Sequence, residues 1–266
     1  MTTTQLAQNI RLNVLDMIHT GGSAHIGSVF SVADILAVLY GAVLNYDPKN
    51  PSLETRDRFI LSKGHAGAGV YAALALSGFF DIARLKEHCQ DGSVFSGHVS
   101  HKGVPGVEWS TGSLGHGLSV GVGIAKAAQL SGASYRVFVV LSDGECDEGT
   151  TWEAALSAGH HGLDNLTLII DYNKAQCYGF KKDVLDIEPL ADKWKSFNWD
   201  VQEVDGHDHG ALQVALENTS STKKPRAIIA HTKRGKGVSF MEQDPILWYY
   251  RTPRGAEYDA ARKELS

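Results

Sequence analysis

The chain has 266 residues, 43% hydrophobic and 21% charged, which allows one large domain or two small ones and excludes a disordered, collagen-like or low-complexity polypeptide. Twenty-five Lys and Arg stand against 30 Asp and Glu, a net charge of −5, so there is no basic field to hold nucleic acid or an acidic membrane surface. The three cysteines, Cys89, Cys146 and Cys177, fit neither a disulfide framework nor a CxxC motif and point to a reducing compartment.

The opening segment MTTTQLAQN lacks the basic-then-apolar pattern of a secretory signal, and a cytoplasmic location is expected. Leu6, Ile10, Val14 and Met17/Ile18 recur at helical spacing, and Ser31 with Asp34 resembles a capping box opening an apolar segment over 35–44. The longest uncharged apolar stretch, 66–80, is short and interrupted by glycine, so no membrane span is expected. From Arg136 onward, short strand-like runs at 137–141, 166–170, 201–204 and 227–230, most of them largely apolar, alternate with helical stretches such as 152–160. That alternation predicts an α/β fold, a buried parallel β-sheet flanked by crossover helices. Lys223-Lys224-Pro225 ends one helix and introduces the last strand. One domain is expected over 1–240, with a tail over 241–266, carrying Trp248-Tyr249-Tyr250, that packs on the domain or on a partner.

The most informative unit is strand, turn, helix, strand: the run at 137–141 leads into Ser142-Asp143-Gly144-Glu145, and the run at 166–170 leads into Asp171-Tyr172-Asn173. A right-handed crossover brings Asp143 and Asn173 to the same carboxyl rim, where open α/β sheets bind ligands. An Asp, an Asn and a loop carbonyl are hard oxygen donors suited to Mg²⁺. Asp143, Glu145, Asp147 and Glu148 crowd one turn, and a phosphate ~4 Å from one such carboxylate is repelled by roughly 4 kcal/mol at an effective dielectric near ~20. Phosphate bound here therefore needs a metal. Singly, an Asp-Gly turn and a loop Asn are ordinary, and from these residues alone both readings stay open.

Walker A, GxSxG and HExxH patterns do not occur, and Gly112-Ser113-Leu114-Gly115-His116-Gly117 misses the third glycine of a dinucleotide fingerprint. Of twelve histidines, His65, His98 and His116 follow glycine in loops, and His25 lies between Ala24 and Ile26; these are candidates for acid–base work. His19, His88, His101, His160, His161 and His209 read as structural or surface residues. The close pairs His98/His101 and His207/His209 are a weak zinc signal.

Taken together, Ser23-Ala24-His25-Ile26-Gly27, Leu61-Ser62-Lys63-Gly64-His65-Ala66, Phe95-Ser96-Gly97-His98, Pro105-Gly106-Val107-Glu108, Ser110-Thr111-Gly112-Ser113-Leu114-Gly115-His116-Gly117, Ser142-Asp143-Gly144-Glu145 and Asp171-Tyr172-Asn173-Lys174 resemble, in order, the N-terminal thiamine-diphosphate-binding domain of transketolases. The resemblance implies that Asp143, Asn173 and the Ala175 carbonyl hold Mg²⁺, or Ca²⁺ or Mn²⁺ in its place, with Gly144 against the diphosphate. It implies Gly112, Ser113 and Leu114 at the aminopyrimidine and thiazolium, His65 at diphosphate and substrate, and His25 and His98 as catalytic residues that bind substrate hydroxyls and move protons. Glu148 is placed with the cofactor-binding residues and, with Glu153, matches an acidic pair the family buries between subunits.

The sequence departs from the family in having Ser142 for a glycine, Tyr172 for an asparagine, and no histidine after His231, where Lys236-Gly237-Val238-Ser239-Phe240 leads to Trp248-Tyr249-Tyr250. Transketolases also carry a pyrimidine-binding and a C-terminal domain. The chain thus resembles the N-terminal subunit of a split transketolase, acting on sugar phosphates with a separate C-terminal subunit in a two-plus-two heterotetramer. A two-chain synthase or 2-oxo-acid decarboxylase and a catalytically inactive regulatory homologue are the alternatives.

Overall fold

Thr2 and Gln5 exchange hydrogen bonds across the first turn of helix α1 (Thr3–Gly21), which ends at Gly22 with a φ of 61°. Its capped start and left-handed stop frame the helical spacing read from the sequence, and Leu6, Ile10, Val14, Met17 and Ile18 are buried along one face. The computed structural model describes residues 1–218 and 222–266.

Helix α2 (Ile26–Val38) is buried at every residue and continues into a π-helical turn, Leu39–Val43. Its start corrects the expected capping box, because the helix begins at Ile26, and Ser31 and Asp34 lie inside it. Tertiary partners have claimed both side chains: Ser31 Oγ donates to Asp171 at 2.6 Å, and Asp34 accepts from Arg11 and meets His207 and His209. The 26–43 stretch, more than 66–80, is long and apolar enough to cross a membrane, yet it is mostly buried within the protein as its core helix.

Five strands form one parallel sheet: β1 (Arg58–Leu61), β2 (Val137–Ser142), β3 (Leu166–Tyr172), β4 (Asp200–Asp205) and β5 (Arg226–His231), in the order β1-β2-β3-β5-β4. The four predicted runs are β2 to β5. Strand β1 was not predicted, because its four residues, opening on Arg58, are too short to stand out. Register sets Ser142 beside Asp171 and Asp171 beside Ala230, so the central strands finish level.

Side chains alternate between two cores. Phe138 and Val140 face the layer built from α1, α2, α3 (Gly67–Leu76) and α8 (His209–Glu217). Val137, Val139 and Leu141 face α4 (Gly117–Ser131), α5 (Gly149–His161) and α7 (Leu190–Ser196). The short helix α6 (Lys181–Val184) lies in the connection after β3. After β5 come α9 (Ser239–Gln243) and α10 (Ala256–Leu265), whose Ala261 and Leu265 join the first core. Gln8 Nε2 donates to the Leu265 carbonyl at 2.9 Å, and Tyr258 stacks on His19 with ring centroids 4.1 Å apart.

Gly159 lets α5 touch the loop after α7, since a Cβ there would stand 1.9 Å from the Phe197 carbonyl oxygen. Helix propensity favours alanine over glycine by roughly 1 kcal/mol, but the backbone clash outweighs it. Gly159→Ala is expected to lower unfolding free energy by about 2 kcal/mol in urea titrations, and a gain in stability would contradict this packing.

Candidate functional site

Past the end of β1 the chain turns through Ser62-Lys63-Gly64-His65. Lys63 is fully buried, ion-paired with Asp171 of β3, and donates to the Ser28 carbonyl at 3.1 Å. Asp171 also accepts from Ser31, Thr232 and, at 3.3 Å, Asn173 Nδ2. Burial alone would raise the Asp171 pKa, but Lys63 holds it below the usual carboxylate value. Ser28 Oγ, one helical turn from the start of α2, lies 2.9 Å from His65 Nε2 and fixes that ring.

His25 caps α2 from the left-handed region, at φ 73°, held by a hydrogen bond from its N–H to the Tyr249 carbonyl at 2.8 Å. Its ring centroid lies 5.2 Å from that of His65, 5.7 Å from His98 and 5.0 Å from Tyr249. Burial, then the neighbouring charges of His98, Arg234 and Lys63, lower the His25 pKa to about 4. Burial and Lys63 also push His65 well below its ordinary value. Both imidazoles are neutral at physiological pH, each with a lone pair available to accept a proton.

The loop before α4 is drawn against this cluster. A Cβ on Gly64 would meet the Thr111 carbonyl at 2.4 Å, so glycine permits the approach. Thr111 Oγ1 donates to Leu61 O at 2.5 Å, Gly115 N to Glu145 at 2.8 Å and Gly117 N to Ser62 Oγ at 3.0 Å. Leu114 lines the resulting cavity, Gly112 lies beside His98, and Gly112 and Ser113 remain exposed.

Beyond β2, Ser142 Oγ caps the acidic turn by accepting from Glu145 N at 3.2 Å. Asp143 is 1% exposed, and its carboxylate accepts from Gly144 N at 2.8 Å and Lys174 N at 2.6 Å. Burial, reinforced by Asp171, raises its pKa to about 6. Asn173 and Ala175 stand opposite on the loop after β3, and Asn173 Oδ1 accepts from Ala175 N at 3.2 Å. A buried carboxylate, a carboxamide oxygen and a main-chain carbonyl fit a hard divalent cation, which would relieve the burial penalty on Asp143. Among the described residues no group of three or more His, Cys, Asp or Glu side chains offers a metal centre. His207 and His209 instead meet Asp34, at 2.6 and 3.0 Å, beside Arg11.

The structure therefore brings His25, His65, His98, Leu114, Asp143, Gly144, Asn173 and Ala175 to one rim. Glu148 is exposed and lies outside the cavity lining. Tyr172 points away from Asp171, by strand alternation, and donates to Glu188 in a separate groove of about 510 Å³. The sequence reading missed Arg234 and the ring of Tyr249, which close the site cavity of about 80 Å³. Arg234 follows β5 just as Asn173 follows β3, so its strand-end position was the available signal.

Residues 2–245 match the family described as transketolase, thiamine diphosphate binding domain. The chain belongs to the transketolase family. It is similar to one of the apulose-4-phosphate transketolase subunits, that of Actinobacillus succinogenes, with 44% identity over 91% of this chain and 87% of that protein. It is 41% identical to the 6-deoxy-6-sulfo-D-fructose transketolase subunit SqwG of a Clostridium species, over 89% of this chain and 86% of the relative. Among solved structures, the transketolase of Campylobacter jejuni superposes with a TM-score of 0.89 at 32% identity, covering 98% of this chain and 43% of that one. The chain thus spans less than half of that transketolase, and its parallel sheet with flanking helices is the transketolase thiamine-diphosphate-binding fold.

Because folding lowers the His25 pKa from 6.5 to about 4, its contribution to stability is complete above the unfolded value and is lost as pH falls toward 4. His88, lowered by burial to about 4, acts in the same sense. Unfolding free energy is expected to drop between about pH 7 and about pH 4.5, and His25→Gln to shrink that drop by about 1–2 kcal/mol. Denaturant titrations at the two pH values test this, and an undiminished drop in the variant would exclude a neutral buried His25.

Proposed function

We propose that this chain is the thiamine-diphosphate-binding subunit of a two-chain transketolase, working in the cytoplasm with a C-terminal subunit that carries the pyrimidine-binding domain, two copies of each. The observation that carries this reading is coverage: the relatives that match nearly end to end are named as transketolase subunits, whereas the Campylobacter transketolase is more than twice as long. The reaction is transfer of a two-carbon ketol unit from a ketose phosphate to an aldose.

Asp143, Asn173 and the Ala175 carbonyl would hold Mg²⁺, with Gly144 leaving its backbone open to the diphosphate. When bound, thiamine diphosphate supplies the carbon nucleophile and the electron sink for breaking and making the carbon–carbon bond. His65 would meet diphosphate and substrate, and Gly112, Ser113 and Leu114 the rings of the cofactor. His25 and His98 would bind substrate hydroxyls, His25 as a neutral imidazole able to take a hydroxyl proton when the bond breaks and return it when the new one forms. Glu148 and Glu153, both exposed on this chain, would serve at the contact between its two copies.

The test is to recover the companion polypeptide by affinity capture with thiamine diphosphate and Mg²⁺ present, then assay ketol transfer by the purified complex. Asp143→Ala and His65→Ala are each expected to reduce turnover at least about 100-fold, and unchanged turnover in either would reject the assignment. Excess chelator should abolish cofactor binding, because the diphosphate would then face Asp143 without a metal between them. Tight metal-free binding would place the cation elsewhere.

A further inference from the structure

His207 lies in the turn between β4 and α8 and does not line the cavity of about 80 Å³, yet both of its ring nitrogens are committed. Nδ1 stands 2.6 Å from Asp34 Oδ2, and Nε2 accepts from the main-chain N–H of Lys233 at 2.8 Å. Asp34, inside α2, also takes the two arms of the Arg11 guanidinium, and His209 Nε2 lies 3.0 Å from its Oδ1. Burial alone would raise the Asp34 pKa, but hydrogen bonds from His207, His209 and Arg11 hold it well below the usual carboxylate value. A charged carboxylate calls for a proton on Nδ1, and the Lys233 N–H calls for a lone pair on Nε2. His207 is thereby left one form, neutral with its proton on Nδ1. The chain it grips is the loop after β5, where Thr232 donates to Asp171, Arg234 to the Ala175 carbonyl and Gly235 N to the Gly27 carbonyl at 3.0 Å.

We propose that His207 is a positioning residue: neutral, it latches the loop after β5 to α2, and a second proton on its ring undoes the latch. That proton has only Nε2 to enter, where it meets the Lys233 N–H donor against donor. The ring is faced by Asp34 of α2, Arg11 of α1, His209 at the head of α8, and Asp205 of β4, which accepts the His207 main-chain N–H at 2.8 Å. Lys174, His231 and Lys233 share with it an adjoining groove of about 450 Å³. Asp34 is engaged at Nδ1 and Asp205 at the main chain, so neither carboxylate is bonded to Nε2. His209 is no substitute, because its Nδ1 is enclosed without a partner and a second proton there would have no acceptor. The loop's hold on the Ala175 carbonyl, through Arg234, is set by this latch, and on the reading of Ala175 as a metal ligand the latch belongs to the cofactor site.

Nuclear magnetic resonance of the full ¹⁵N-labelled chain tests this, by reading the His207 ring nitrogens and the hydrogen exchange of the Lys233 amide between about pH 8 and about pH 5.5, across the range in which histidine takes up a proton. At the upper pH the ring is expected to carry its proton on Nδ1. Protection of the Lys233 amide, taken relative to an unstructured peptide at each pH, should fall roughly 3- to 10-fold at the lower pH. H207N and H207Q offer Asp34 an amide N–H but take up no proton, and each should lose this pH dependence. An Nε2–H ring at the upper pH, Lys233 protection that does not change with pH, or a folded variant that keeps the parent's dependence would each overturn the proposal. If neither variant folds, the parent decides: ring protonation and loss of Lys233 protection at one shared midpoint support the latch, and separate midpoints overturn it. No cofactor enters these samples, so the latch can fail while the thiamine diphosphate assignment stands, and the reverse.

Discussion

The ion pair between Lys63 and Asp171 is the interaction on which the rim depends. Both side chains are fully buried, and neither charge could stay there without the other. A well-packed apolar pair in the same space could be as stable, so what the pair contributes is position. Through it the end of β1, the end of β3, the Ser28 carbonyl and Ser31 of α2, and Thr232 beyond β5 meet at one point. Ser28 then sets the ring of His65, so an imidazole at the cavity surface is oriented by a salt bridge beneath it.

Charge is arranged across the cavity rather than cancelled within it. Asp143 is buried between Ser142 and Gly144 of one wall, its pKa raised by burial and by Asp171, and Arg234 lies on another wall with no carboxylate in contact. Beside them His25 and His65 are kept neutral by burial and by the nearby cations. Such a cavity suits a cargo that carries both signs, a divalent cation bridging to a phosphorylated group, better than either ion alone.

Much of this was legible in the sequence because the central strands of the parallel sheet are buried on both faces, so β2, β3 and β5 read as largely apolar runs, whereas the edge strand β4, mostly exposed, carries Gln202 and Glu203 between its two valines. Asp143 and Asn173 were found by the same logic, since strand ends in a crossover unit must share a rim. The failures have physical causes as well. The true start of α2 was hidden because His25 caps it without a side-chain bond, while Ser31 and Asp34 carry the spacing of a cap but serve partners far away in sequence. Arg234 sits in the basic run Lys233-Arg234-Gly235-Lys236, where composition suggests solvent, and only the fold shows that one of these cations turns inward. Tyr249 belongs to a tail whose aromatic cluster gave no sign of which ring would face the histidines.

The bond from the His25 N–H to the Tyr249 carbonyl joins a residue before β1 to one after β5, outside the strand ladder on both sides. Local opening of the segment that carries Tyr249 would break this bond while every strand pairing stayed intact. The placement of His25 is therefore separable from the stability of the sheet, and the pocket can lose its order at a smaller cost than the fold.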